Sequence, residues 1–471
     1  MSIHIRNGLD CPVSTQALWF ETALLPEGWS ERVHIGIRDG RIATINSEVA
    51  PGGEMERHSV ALPGIPNVHS HAFQRAMAGL AETRASGGPA AGRDDFWSWR
   101  ELMYRFVDRL TPDDLESIAQ LAYLEMLEAG FTRVGEFHYL HHAPNGSHYD
   151  NPAEMCERVV AAASVTGIGL TLLPVLYCHS GFGGASALQQ QRRFVTDVSQ
   201  FARLLDAARR VATSLPDAIV GVAPHSLRAV TPDRLIHAVQ LAGEQPVHIH
   251  VAEQVAEVDA CVNWLGERPV QWLLNHMRVD SRWCLVHATH LDDEEVRRLA
   301  ESGAAAGLCP ITEANLGDGM FRANDYLAAN GSLGIGSDSN VLISASEELR
   351  QLEYAQRLTR RARNVLASDV TRSTGRRLVD SVVLGGHRAL GVQAAGLTVG
   401  AAADIVSLDA THPSLPFRQR DTLLDSWIFA CSGSAVDNVW RAGRKVVVRG
   451  RHVLRDSVVT RYRNTLKRLL A

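Results

Sequence analysis

The sequence predicts an α/β protein in which a (β/α)8 TIM-type barrel carries a small composite β-sandwich domain drawn from both termini. Three observations carry that prediction. Eight short apolar runs, near 62–68, 132–137, 170–177, 219–223, 247–251, 283–286, 304–308 and 333–336, alternate with loops and helical patterns, as repeated β/α units do. Strand-like stretches occupy the two ends of the chain and differ in style from this middle. At 471 residues the chain exceeds the size at which one core stops growing, so one large and one smaller domain are expected. The expected division is 1–60 for the first part of the β-domain, 61–385 for the barrel, and 386–471 for the second β part with a C-terminal helix. An open doubly wound sheet is the alternative to the barrel.

Taken in order, residues 33–42 alternate around Asp39-Gly40, a hairpin signal. The first apolar run approaches through Pro63, Gly64 and Pro66 and ends in His69-Ser70-His71. Residues 84–92 are small and Gly-rich, which suits a surface insertion, with a lid as the alternative. Thr111-Pro112-Asp113-Asp114 sets a cap, a first-turn proline and early acids ahead of Leu115, and Gly130 stands where a helix should stop. Thr231-Pro232-Asp233 repeats the start signal. Several of the eight runs are apolar throughout, as expected of strands buried on both faces. The stretch 141–148 is histidine-rich without ligand-like regularity and reads as a solvated loop. Residues 404–408 and 439–448 return to the strand style of the N-terminus and are expected to pair with it.

Composition narrows the function classes. Hydrophobic residues at 45% and charged residues at 21% describe an ordinary soluble globular chain. A net charge of −5 without a long run of one sign offers no electrostatic footprint for nucleic acid or an anionic membrane. The longest apolar run, 168–178, is too short to span a bilayer, and the first residues lack a signal-peptide layout. Seven cysteines are scattered singly, which suits a reducing cytoplasm and argues against a disulfide framework or a cysteine zinc site. Lys445 and Lys467 are the only lysines, so chemistry needing an earlier lysine is excluded.

The chemistry gathers at run ends. Residues i and i+2 of a strand share a face, so His69 and His71 aim at one point and make a half-site for a borderline ion such as Zn²⁺. The fifth run ends in His248-Ile249-His250-Val251-Ala252-Glu253, the sixth in His287 and the eighth in Ser337-Asp338. In a (β/α)8 barrel the strand C-terminal ends form one rim, so these four polar run ends meet there. By parity His248 and His250 share a face, and periodicity alone does not choose between them.

This constellation resembles the amidohydrolase superfamily of metal-dependent hydrolases and deaminases, over nearly the whole chain. The resemblance implies a distorted (β/α)8 TIM-type barrel with a composite β-domain, and metal ligands His69, His71, His250 and Asp338. Binuclear members use a carboxylated lysine on the fourth strand, which this sequence lacks. The mononuclear deaminase branch has a glutamate three residues after the fifth-strand histidine, and Glu253 stands there. Three neutral imidazoles and a carboxylate hold Zn²⁺ with room for a water, whose pKa falls to about 7 in favourable sites; Fe²⁺ or Mn²⁺ suits the same donors. In that set the catalytic candidates are Glu253, moving a proton from the water to the departing amine, His287, orienting or polarising the nucleophile, and Asp338, ligating and accepting a proton.

Gln74, Arg100, Tyr139, His225 and Arg228 are the substrate-binding candidates. Two guanidiniums at one mouth suit a small-molecule dicarboxylate, since each planar fork binds a carboxylate bidentately. The strings His69–Met77, Phe96–Tyr104, Glu136-Phe137-His138-Tyr139 and His225-Ser226-Leu227-Arg228 resemble the N-formimidoyl-L-glutamate deiminase family of bacterial histidine degradation. That resemblance implies hydrolysis of N-formimidoyl-L-glutamate to N-formyl-L-glutamate and ammonia, one Zn²⁺ per subunit, a homodimer, and the five binding candidates around the glutamyl portion. Which arginine takes which carboxylate stays open. The alternatives are a mononuclear-zinc deaminase of another substrate, such as a nucleobase or related amine, and a non-catalytic metal-binding scaffold.

Overall fold

A computed structural model describes residues 16–53, 55–83 and 96–471; the 84–92 stretch lies outside them. Parallel strands supply the barrel: β1 (Ile65–Ser70), β2 (Phe131–His138), β3 (Gly169–Leu176), β4 in two segments (Ile219–Val220 and Ala223–Pro224), β5 (Val247–Val251), β6 (Trp283–His287), β7 (Ala305–Leu308) and β8 (Ser332–Ile335). Their order is β5-β6-β7-β8-β1-β2-β3-β4. The ring closes between β4 and β5, where Val222 bridges Val247, the Val222 N–H donates to Pro246 O and the His248 N–H to Val222 O. The break in β4 falls at Gly221, where a Cβ would lie 2.5 Å from Pro246 O; only glycine lets the two backbones approach that closely. Every residue of β2, β3, β5 and β6 is buried; β3 accordingly reads as a near-continuous apolar run, while β2 and β5 bury Arg133, Glu136 and His248 among their apolar neighbours.

Helix ends follow the local signals in part. Thr111 and Asp114 form a reciprocal capping box, Asp114 N–H to Thr111 Oγ1 at 3.3 Å and Thr111 N–H to Asp114 Oδ2 at 2.9 Å. Gly130 turns the chain out of that helix at φ 93°. Thr231 sits at the cap position of Pro232–Ala242, but its side chain makes no capping hydrogen bond, so the proline alone marks that start.

The terminal segments form one mixed eight-stranded sheet whose middle strand, Glu56–Pro63, runs parallel to Gln16–Leu25 and antiparallel to Ile405–Leu408. Asp39 and Gly40 take φ of 51° and 73° and close the hairpin at Arg38↔Arg41. The edge strand Arg41–Asn46 curls onto the far segment, Ile42 N–H to Ala401 O and Gly400 N–H to Ile42 O. This encloses a separate core of Leu18, Phe20, Val33, Ile35, Ile405 and Trp440. Glu56–Pro63 then passes through Gly64 into β1, so the small sheet is continuous with the strand that carries the two leading histidines. The C-terminal helix Arg455–Leu470 lies on Pro112–Glu128 through Val458, Leu121 and Leu124, with Arg461 paired to Glu116 at 2.6 Å.

Candidate active site

At the C-terminal ends of β1 and β5 three imidazoles converge. His69 Nε2 lies 3.2 Å from His71 Nε2 and 3.1 Å from His250 Nε2, and Asp338 Oδ1 approaches His69 and His71 at 3.4 and 3.3 Å. His71 Nδ1 donates to Phe137 O at 2.9 Å and His250 Nδ1 to His225 O at 3.1 Å. Those bonds fix the tautomers of His71 and His250, so their Nε2 lone pairs face His69 Nε2, an arrangement that suits a shared cation. Burial, first of all, pushes His69 down to about 3 and lowers His71 and His250, so the rings are neutral, as ligation requires. Burial alone would raise Asp338, yet its hydrogen bond with His69 and its closeness to the His69, His71 and His287 rings hold it below the usual carboxylate range. The donor set therefore fits one divalent cation. His248, left undecided by parity, turns one layer deeper, its Nε2 donating to Ala389 O at 2.8 Å.

The β1–β8 seam is locked from below by residues the sequence reading missed. Asn67 Nδ2 donates to Ser337 Oγ at 2.7 Å, Ser337 Oγ to Asn340 Oδ1 at 2.6 Å, and Asn340 Nδ2 reaches Ser70 Oγ, His71 O and Asp338 O at 3.0–3.1 Å. A Cβ on Gly336 would lie 2.7 Å from His69 O, so glycine there lets Asp338 draw level with the histidines. Ala252, His287, Ala288, Asp338 and Asn340 all take positive φ, between 41° and 67°. Left-handed backbone at non-glycine residues clusters where surrounding bonds over-determine it, and here it clusters at the rim.

Beside the histidines stand Glu253 and His287. His287 Nε2 is 3.8 Å from Glu253 Oε1, and its Nδ1 is 3.2 Å from Glu313 Oε1, which also accepts the Cys309 N–H at 2.8 Å. Burial raises Glu253 to about 7; Asp338 and Glu257 add to the rise, while His287 and Arg228 oppose it. His287 moves the other way: burial would lower it, but Glu253, Glu313 and Asp338 together lift it to about 10. Two neighbouring groups thus titrate near or above neutrality, one as acceptor and one as donor. Glu313 has a sequence signal available in hindsight, a first-turn helix acid four residues after Cys309.

All five substrate-binding candidates, Gln74, Arg100, Tyr139, His225 and Arg228, line one cavity of about 60 Å³ together with His71, His250, Glu253, His287 and Asp338. Gln74 Nε2 donates to Tyr139 OH at 2.9 Å. The cavity also presents Trp99, Met103, Tyr104, Tyr177, Phe194 and Leu316, to none of which the sequence assigned a role of its own. The expectation of a solvated 141–148 loop holds for 143–148, which are partly or fully exposed, and is corrected for His141 and His142, which are buried, with Nε2 donating to Val175 O and Val195 O, each at 2.9 Å.

Comparison with known proteins identifies the family and the fold. The amidohydrolase family model matches residues 60–446, and the model of the formimidoylglutamate deiminase HutF N-terminal domain matches residues 15–59. A formimidoylglutamate deiminase from Pseudomonas aeruginosa is 52% identical over 439 residues, 93% of this chain and 95% of its own. A 5-methylthioadenosine/S-adenosylhomocysteine deaminase from Natronomonas pharaonis is 28% identical over 84% of this chain and 82% of its own. The crystal structure of an amidohydrolase from Brucella melitensis superposes with a TM-score of 0.93 at 54% identity, covering 97% of this chain and 100% of that one.

Proposed function

Because the chain belongs to the amidohydrolase family, we propose that it hydrolyses N-formimidoyl-L-glutamate to N-formyl-L-glutamate and ammonia in histidine degradation, with one Zn²⁺ held by His69, His71, His250 and Asp338. The observation that carries the substrate is the pair of guanidiniums, Arg100 and Arg228, in the same cavity as Glu253 and the histidine cluster, in a chain 52% identical to a formimidoylglutamate deiminase. A substrate with two carboxylates has a partner for each, and its formimidoyl carbon then falls toward the rim.

When bound, the cation supplies Lewis-acid charge that brings the pKa of a water to about 7. Glu253 takes the proton that this water gives up as its oxygen bonds to the formimidoyl carbon. The tetrahedral adduct collapses when its terminal nitrogen is protonated, and Glu253 Oε1 holds the proton it needs. With the amidine bound in its protonated form, the C–N bond breaks, ammonia leaves, and the adduct's hydroxyl passes its remaining proton to Asp338 as the carbonyl of the N-formyl product forms. His287, kept charged by Glu253 and Glu313, donates from Nε2 toward the oxygen that gains negative charge. Gln74, Arg100, Tyr139, His225 and Arg228 fix the glutamyl part, so that only the amidine reaches the proton-transfer groups.

The test is an ammonia-coupled assay on N-formimidoyl-L-glutamate with metal analysis of the same sample and identification of the organic product. Ammonia and N-formyl-L-glutamate in equal amounts support the reading. Turnover of an aminopurine nucleoside with none of N-formimidoyl-L-glutamate overturns it.

A further inference from the structure

Gln191 is fully buried in the 3-10 turn Gln189–Gln191 and does not touch the cavity. Its Oε1 accepts the backbone N–H of Leu188 at 2.8 Å. A backbone N–H only donates, so this contact fixes which end of the amide is oxygen. The Nε2 end therefore donates both hydrogens, to Tyr104 OH at 3.1 Å and to Tyr177 OH at 2.9 Å. Tyr104 OH also receives Arg100 Nε at 2.5 Å, and a guanidinium likewise only donates. Both phenol oxygens are thus occupied as acceptors, and each keeps its own hydrogen to give away. Among the described residues neither hydroxyl donates to a protein acceptor, and both rings line the catalytic cavity. Arg100 and Tyr104 stand four residues apart on the helix Phe96–Val107, so they share a face.

We propose that Tyr104 and Tyr177 donate their hydroxyl hydrogens to the substrate carboxylate that Arg100 binds, and that Gln191 is the positioning residue that turns both hydroxyls into donors. The inference deepens the proposed function and rests on its dicarboxylate substrate. A phenol that could donate to protein would be indifferent to an anion, whereas Tyr104 OH already accepts from two donors and Tyr177 OH from one, and each O–H is completed only by an acceptor. Two O–H donors and a guanidinium around one carboxylate also explain a recognition stronger than that of an arginine alone, because hydrogen bonds to an ionised acceptor are the strong ones. The arrangement selects against a neutral ring substrate, which leaves the donors unmet.

The experiment compares Tyr104→Phe, Tyr177→Phe and Gln191→Leu with the wild type on N-formimidoyl-L-glutamate and on its two monoamides, one with the side-chain and one with the α-carboxylate converted to carboxamide. Each Tyr→Phe change should lower kcat/KM on the dicarboxylate by about tenfold or more, through KM with kcat nearly kept. On one of the two monoamides the same change should cost less than about threefold, because the anionic acceptor is gone. Gln191→Leu should reproduce the KM increase and add little in the Tyr104→Phe/Tyr177→Phe background. Equal losses on all three substrates, or losses in kcat alone, would show a merely structural role and overturn the assignment, with thermal melting confirming that each variant folds. A wild type inactive on the dicarboxylate would instead strike down the proposed function, and this inference with it.

Discussion

Two regions of this molecule are rich in buried histidine, and they differ in what the ring nitrogens do. At the β1/β5 rim, His71 and His250 donate from Nδ1 to the carbonyls of Phe137 and His225, which turns their Nε2 atoms toward His69 Nε2 at 3.2 and 3.1 Å. After β2, His141 and His142 spend Nε2 on the separate carbonyls of Val175 and Val195, so their rings diverge. Both sets are neutral for the same reason, burial. Convergence of ring nitrogens, not the number of histidines, makes the first set a candidate cation site and leaves the second a packing device.

The comparison breaks most sharply at the ligands. Replacing His69 or His250 by Ala should remove bound metal and lower kcat/KM by about 1,000-fold or more, since even outer partners of such ligands are worth about 10- to 100-fold. Metal analysis beside the ammonia assay reads both. Glu253→Gln separates holding the cation from moving protons: metal content should stay at the wild-type level while kcat falls by about 100- to 10,000-fold, and unchanged turnover would remove Glu253 from the mechanism.

Chelation sharpens the difference further. Stripping the metal should abolish activity, restored by added Zn²⁺, and should cost about 3 kcal/mol of stability for a cation present at a hundredfold excess over its Kd. Calorimetry of the apo and loaded forms measures it.

A milder effect is expected with pH. Glu253 must be ionised to accept a proton, and its environment holds it up at about 7. Bound positive charge opposes protonation, so kcat/KM should fall on the acid side of a limb at or below 7, by about tenfold per pH unit once well below it, and the limb should vanish in Glu253→Gln. The smallest effect belongs to the second histidine set: His141→Gln or His142→Gln should leave metal content and kcat in place and lower stability by about 1–3 kcal/mol, the cost of a disturbed buried hydrogen bond.

Local chemistry was legible in the sequence. The barrel strands, the capping box at Thr111, the turn at Asp39-Gly40 and the ligand candidates at strand ends all follow from spacing of two to four residues along the chain. Histidines 141 and 142 misled because polarity was read without partners, and the carbonyls that absorb them lie 34 and 53 residues away. Asn67, Ser337 and Asn340 carried no signal, since their meaning appears only when segments 270 residues apart meet.

By itself the sequence determined which side chains stand at the ends of the barrel strands and what each is able to ligate, donate or accept, because strand parity and helix start signals act over a few residues. Only the tertiary structure decided that His248 turns away to the Ala389 carbonyl, that Gln191 orients two tyrosines, and that Glu253 and His287 titrate so far from their usual values. Those outcomes depend on which distant carbonyl, hydroxyl or carboxylate burial brings within about 3 Å, and no local pattern encodes that neighbour.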